Sequence, residues 1–94
     1  MEKWNDNDIA AGLSQLQDWK YENEALEKTI TFKNFKEAFA MMTQIAFECE
    51  AQAHHPNWEN VYNTLTIRLN THDVGGITQK DFELAKTIDS LVTS

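Results

Sequence analysis

The stretch Asn34-Phe-Lys-Glu-Ala-Phe-Ala-Met-Met-Thr-Gln-Ile-Ala-Phe-Glu-Cys-Glu-Ala-Gln-Ala-His-His-Pro56, continued by Asn57-Trp-Glu-Asn-Val-Tyr-Asn-Thr-Leu-Thr-Ile-Arg-Leu-Asn70, decides the fold, because its hydrophobic period changes at the proline. Before Pro56, residues Phe35, Ala38, Phe39, Met42, Ile45, Ala46 and Cys49 recur at helical spacing and form a broad apolar stripe. Asn34, with Glu37 three positions on, is a capping-box variant that starts this helix. Pro56 biases His55 away from the α region, so the helix should stop near Ala53. Beyond it, residues 58–70 are rich in β-formers, with Val61, Leu65, Ile67 and Leu69 on one face and Tyr62, Thr64, Thr66 and Arg68 on the other. Periodicity leaves open whether this is one long strand or two with a turn near Asn63-Thr64.

On the N-terminal side, Asn5 can cap a first helix whose opening turn carries Asp6 and Asp8 and whose apolar side holds Ile9, Leu13 and Leu16. Gly12 in its interior costs about 1 kcal/mol relative to alanine. From Trp19 the period becomes two. Trp19 and Tyr21 alternate with charged residues, and after Glu22-Asn23-Glu24 the residues Leu26, Ile30 and Phe32 alternate with Glu27, Thr29 and Thr31, with Lys28 breaking the apolar face. A hairpin is expected there. On the C-terminal side, Gly75-Gly76 is expected to loosen the chain, and Thr78 to cap a last helix carrying Phe82, Ala85, Ile88, Leu91 and Val92. The order α-β-β-α-β-β-α predicts an α+β protein with helices packed on one face of an antiparallel sheet, in a single domain over residues 1–94.

Composition narrows the function. The net charge of −7 argues against direct nucleic-acid binding and against anionic membrane surfaces. The N-terminus has no signal pattern and no run reaches transmembrane length, so no membrane association is expected. One cysteine, Cys49, cannot form an internal disulfide, which suits a reducing cytoplasm, and its place on the apolar stripe marks it as a buried small hydrophobe. GxSxG, GxGxxG and P-loop patterns are missing, leaving hydrolase, dinucleotide and nucleoside-triphosphate chemistry without support.

The chemistry-bearing residues are histidines. All three in the chain, His54, His55 and His72, fall within a short stretch around Pro56 and the end of the β-rich segment. Glu50 and His54 are four apart and can share a helix face; in isolation that spacing reads as an ordinary surface pair. His55-Pro56 adds a fixed backbone where the helix ends, holding two imidazoles at its edge. Adjacent histidines point apart and no HExxH or HxH spacing is present, so a metal site is not expected, nor any other cofactor. What remains is proton transfer. One imidazolium can protonate a departing hydroxyl while another imidazole removes a proton from the adjoining atom, which is an elimination of water. Trp19, Trp58 and Tyr62 could face a planar ring, although core packing is the simpler reading of each.

These residues resemble the pterin-4a-carbinolamine dehydratases. That family's signature is an acidic or basic residue, three positions, His-His-Pro, an aromatic, a further His and a later Asp; here it falls on Glu50, His54-His55-Pro56, Tyr62, His72 and Asp81. The resemblance implies a four-stranded antiparallel sheet, and so a second hairpin within residues 58–70. It implies dehydration of a 4a-hydroxytetrahydropterin to the quinonoid dihydropterin, the step that recycles the cofactor of aromatic amino acid hydroxylases. By the same resemblance His54 and His72 act as acids toward the 4a-hydroxyl, and His55 binds the pterin and serves as base. Glu50 would orient His54 or contact substrate, the backbone around Asn70-Thr71 would hold the pterin edge, and Pro56 and Lys80 would belong to the binding site. Asp81, three residues after Thr78, is open between capping the last helix and contacting substrate. Animal members tend to carry arginine where this chain has Lys80, which keeps the charge but loses the planar fork. Some animal relatives also stabilise a homeodomain factor's dimer, and some bacterial relatives assist assembly of a carbon-fixing enzyme, with parts of the histidine triad lost. A non-catalytic interaction module is therefore the alternative. A small core with β-rich edges favours a homodimer or homotetramer.

Overall fold

The computed structural model describes residues 1–93; Ser94, the last residue of the expected domain, lies outside them. Helix α1 (Asp6–Leu13) leads into strands β1 (Lys20–Glu22) and β2 (Ala25–Thr31), helix α2 (Phe35–Gln52), strands β3 (Asn57–Val61) and β4 (Thr64–Leu69), and helix α3 (Gln79–Thr93). A short 3₁₀ turn, His72–Val74, precedes α3. The strands form one antiparallel sheet in the order β1-β2-β4-β3, so α2 carries the chain from β2 past its neighbour β4 to the edge strand β3.

Local chemistry sets the boundaries. At α1 the capping box closes fully, with Asn5 Oδ1 accepting from Asp8 N at 2.8 Å and Asp8 Oδ2 accepting from Asn5 N at 3.2 Å. At α2, Asn34 Oδ1 accepts from Glu37 N at 2.9 Å. Asn23 and Glu24 both have positive φ, 52° and 61°, the backbone of a two-residue turn whose twist matches the flanking strands. The second hairpin turns at Tyr62-Asn63, since Val61 pairs with Thr64, one residue earlier than expected. That shift corrects the assignment of Val61 and agrees with the core reading of Trp58. Val61 sits opposite Thr64 on the open side of the sheet and is 70% exposed, while Trp58, paired with Ile67, takes the inward position. A turn resets the alternation, so a single period run through it misplaces residues on one arm.

The sheet's inner face is covered by the helices. Leu26, Leu65, Ile67 and Leu69 pack there with Ile9 of α1, Ile45 and Cys49 of α2, and Leu84, Ala85 and Ile88 of α3. Full burial of each large aliphatic side chain contributes roughly 1.5–3 kcal/mol. The outer face is polar, with Glu27 accepting from Arg68 Nε at 2.6 Å and pairing with Lys20 at 3.2 Å. The α2 stripe is buried only in part. Ala38, Ile45 and Cys49 are in the core, whereas Phe35 and Phe39 are exposed, because the sheet meets a narrower arc of the helix than the stripe spans.

Lys28, which interrupts the apolar face of β2, has a partner that the sequence pattern conceals. It is buried and its Nζ lies 2.7 Å from Asp89 Oδ1 on α3. Asp89 also accepts from Trp19 Nε1 at 2.8 Å and from Gln17 N at 2.9 Å. Removing one member of a buried pair leaves an uncompensated charge, at a cost of about 3–5 kcal/mol. We therefore expect Asp89→Ala to lower the urea-unfolding free energy by about that amount, against a change within about 0.5 kcal/mol for Thr29→Val on the outer face. A loss at Asp89 no larger than that at Thr29 would contradict this account.

Candidate active site

The site is built where α2 ends. Ala53 adopts the left-handed conformation, φ 53° and ψ 42°, and His54 N donates back to Cys49 O at 3.0 Å. This is a Schellman-type ending with alanine in the place usually taken by glycine. The reversal sends His54 beneath the helix end, where its side chain is 11% exposed, and leaves His55 outward at 61%. Pro56 then starts the extended backbone of β3.

The second wall comes from residues 70–76. Thr71 forms a bridge with Gly76, its N donating to Gly76 O at 2.8 Å. Between them lies the 3₁₀ turn that carries His72, closed by Gly75 at φ 63°. This is a fixed turn and not the loosened segment expected from Gly75-Gly76. At Gly76 an added Cβ would meet Lys3 Cε at 2.6 Å, so the flexible Lys3 side chain would have to shift.

These walls enclose a cleft of about 470 Å³ lined by Met1, Ala53, His54, His55, Asn70, Thr71, His72, Asp73, Val74 and Lys80. The three histidines thus share one cavity with Asn70, Thr71 and Lys80. A larger hollow of about 560 Å³, beside Trp4, Gly12 and Phe82, holds none of them. Glu50 and Pro56 do not line the cleft. Tyr62 is in the β3–β4 turn, Trp19 is buried in the core, and neither reaches the site. Met1, Ala53, Asp73 and Val74 complete the wall through the fold alone, with no pattern in the sequence to mark them.

Carboxylates engage two of the imidazoles. His54 Nε2 lies 2.5 Å from Asp81 Oδ1, and His55 Nε2 lies 2.6 Å from Glu50 Oε2. Glu50 therefore orients His55 and not His54, a correction that follows from the reversal at Ala53. The Glu50–His55 pair is solvent-exposed and screened. Asp81, by contrast, is fully buried. Its Oδ2 accepts from Thr78 N at 2.9 Å and Thr71 Oγ1 at 2.8 Å, and Thr71 Oγ1 also lies 2.7 Å from Thr78 Oγ1. Of the two readings left open for Asp81 the capping one is seen, since Oδ2 caps the start of α3, while Oδ1 meets His54, a partner neither reading named. Among the described residues His72 has no side-chain partner and Lys80 no ion pair. No group of three His, Cys, Asp or Glu among the described residues is arranged to hold a metal.

Comparisons with known proteins give the family and the fold. The family described as "Pterin 4 alpha carbinolamine dehydratase" matches residues 2–91. A protein of Christiangramia forsetii with the provisional name pterin-4-alpha-carbinolamine dehydratase is 49% identical over 94 residues, all of this chain and 97% of the relative. One from Opitutus terrae with the same provisional name is 49% identical over 85 residues, 89% of this chain and 88% of its own length. A crystal structure described as a transcriptional coactivator/pterin dehydratase from Brucella melitensis superposes with a TM-score of 0.93 at 30% identity, over 96% of this chain and 98% of that one. A pterin dehydratase-like protein identified as a RuBisCO assembly factor of the alpha-carboxysome shares the fold, with a TM-score of 0.67 at 19% identity over 84% of this chain and 90% of that one. The three-histidine cleft lies on the α+β fold shared with these relatives. The chain belongs to the pterin-4-alpha-carbinolamine dehydratase family.

Cys49, five residues before His54, takes no part in the cleft. It is 2% exposed, and burial pushes its thiol up from the usual range, with the neighbouring Glu50 and Glu48 adding to the effect. A raised value keeps the thiol protonated and unreactive at neutral pH. Alkylation by iodoacetamide at pH 7.5 should therefore be slow in the native protein and become fast on unfolding in urea. Equal rates in the two states would contradict this placement.

Proposed function

We propose that this chain dehydrates a 4a-hydroxytetrahydropterin to the quinonoid dihydropterin, using its histidines as general acids and base. The observation that carries the reading is the placement of His54, His55 and His72 around one cleft of about 470 Å³. In the reaction a proton reaches the 4a-hydroxyl, the C–O bond breaks with its electron pair leaving as water, and the adjoining ring nitrogen loses its proton. The nitrogen's electron pair then forms the new double bond to the 4a carbon. His54 and His72 are assigned to the departing hydroxyl. His55, held by Glu50, is assigned to pterin binding and to accepting the proton. The backbone around Asn70 and Thr71 is assigned to the pterin edge, and Lys80 supplies a cation at the cleft wall. The reading needs no metal or organic cofactor, and the buried unpaired Cys49 suits a reducing cytoplasm.

The test is stopped-flow absorbance of freshly generated 4a-carbinolamine with and without the protein. We expect acceleration by the native chain and a fall of about 10²–10⁴-fold in His55→Ala, with circular dichroism unchanged because His55 is exposed. No acceleration by the native protein, or full activity in His55→Ala, would overturn the assignment.

A second feature supports self-association. The rings of Phe35 and Phe39 meet at a tilt with centroids 5.7 Å apart, forming a short aromatic strip that is 48% and 56% exposed. A 94-residue chain has little core to spare, and a two-fold axis would let this aromatic strip meet its own copy. We expect sedimentation at micromolar concentration to show a homodimer or homotetramer, and Phe39→Glu to shift it to a smaller species. A native protein that sediments only as monomer would contradict the proposal.

A further inference from the structure

The cleft histidines differ in how they are held. The carboxylate on His55 is exposed and free to exchange with solvent, and His72 carries none among the described residues. His54 is held by a carboxylate that cannot move. Asp81 has no exposed surface, and the three groups bonded to it, Thr78 N–H, the Thr71 hydroxyl and His54 Nε2, can all act as donors. A buried carboxylate in this setting accepts only, so the imidazole nitrogen facing it must carry the proton. His54 Nδ1 has no hydrogen-bond partner among the described residues, and the residue lines the cleft.

We propose that Asp81 is a positioning residue that fixes His54 in its Nε2–H form, so that Nδ1 is the ring nitrogen offered to substrate. The assignment deepens the dehydratase reading and rests on it for its kinetic consequence, though not for its structural one. Asp81 reaches the reaction only through His54. One carboxylate ties the imidazole, the start of α3 and the wall that carries His72, because Thr71 begins the bridge that closes that wall. The hydrogen on Nε2 keeps the ring from turning over, and it lets Nδ1 lose a proton to substrate without leaving the buried carboxylate bare of donors. The logic is that of a buried aspartate behind a catalytic histidine in hydrolytic triads, where it sets tautomer and orientation and is not itself protonated.

Asp81→Asn is the discriminating variant. Thr78 N–H and the Thr71 hydroxyl require an acceptor on the Oδ2 side, so the amide oxygen takes that place and the amide nitrogen faces His54. A donor there needs a lone pair on Nε2, which moves the imidazole hydrogen to Nδ1. The variant is isosteric and keeps both cap bonds, so the fold should persist. Ring ¹⁵N chemical shifts of neutral His54 are expected to show a protonated Nε2 in the native protein and a protonated Nδ1 in Asp81→Asn. Steady-state rates should fall about 10²-fold or more in kcat with KM little changed. On a His54→Ala background the same substitution should lower kcat no further, a result that a purely structural role would not give.

A native ring protonated on Nδ1 would overturn the proposal without any variant. So would an Asp81→Asn ring that keeps Nε2–H, or a further fall in kcat on the His54→Ala background. If native and variant rings carry the expected tautomers while the native protein fails to accelerate carbinolamine dehydration, the dehydratase reading fails and the positioning assignment stands.

Discussion

The Asp81 carboxylate has no contact with water, and the arrangement of the cleft depends on that. A buried carboxylate is tolerated only when donors surround it, and this one takes them from a helix start, a loop hydroxyl and an imidazole. Those donors belong to parts of the chain that lack covalent reason to meet: the end of α2, the loop after β4 and the first turn of α3. Satisfying one charge brings the three together, and the cleft is the space they enclose.

Helix α3 carries a second buried carboxylate two turns further on, roughly 12 Å along its axis. Asp89 does for the sheet what Asp81 does for the cleft, gathering Lys28, the Trp19 indole and the Gln17 amide. Their chemical settings differ. Asp89 faces a lysine and an indole inside the core, whereas Asp81 faces a histidine that borders open space. One helix is thereby pinned to the sheet through Asp89 and shapes the cleft through Asp81.

The histidines occupy graded environments. His54 is almost enclosed, His55 is exposed beside an exposed glutamate, and His72 sits on a short turn held by Thr71 and Gly75. The exposed aromatic strip on α2 contains none of the cleft residues.

The amino-acid sequence by itself determined the helices, the first hairpin and the residue types of the site, and the family resemblance added the second hairpin. Helical and alternating periods, the Asn5 and Asn34 caps and the proline after His55 are local signals, each read within a few residues of where it acts. The three histidines and the later aspartate were legible as a family pattern for the same reason: spacing is a property of the chain. Partner choice was decided only in three dimensions. Nothing local tells Lys28 that its counter-charge is Asp89, tells Glu50 that a left-handed Ala53 will hand it His55 in place of His54, or places Val61 outside on the arm before the turn. Each of those outcomes depends on where a distant segment packs, and packing is set by the burial of the whole core and not by any one stretch of it.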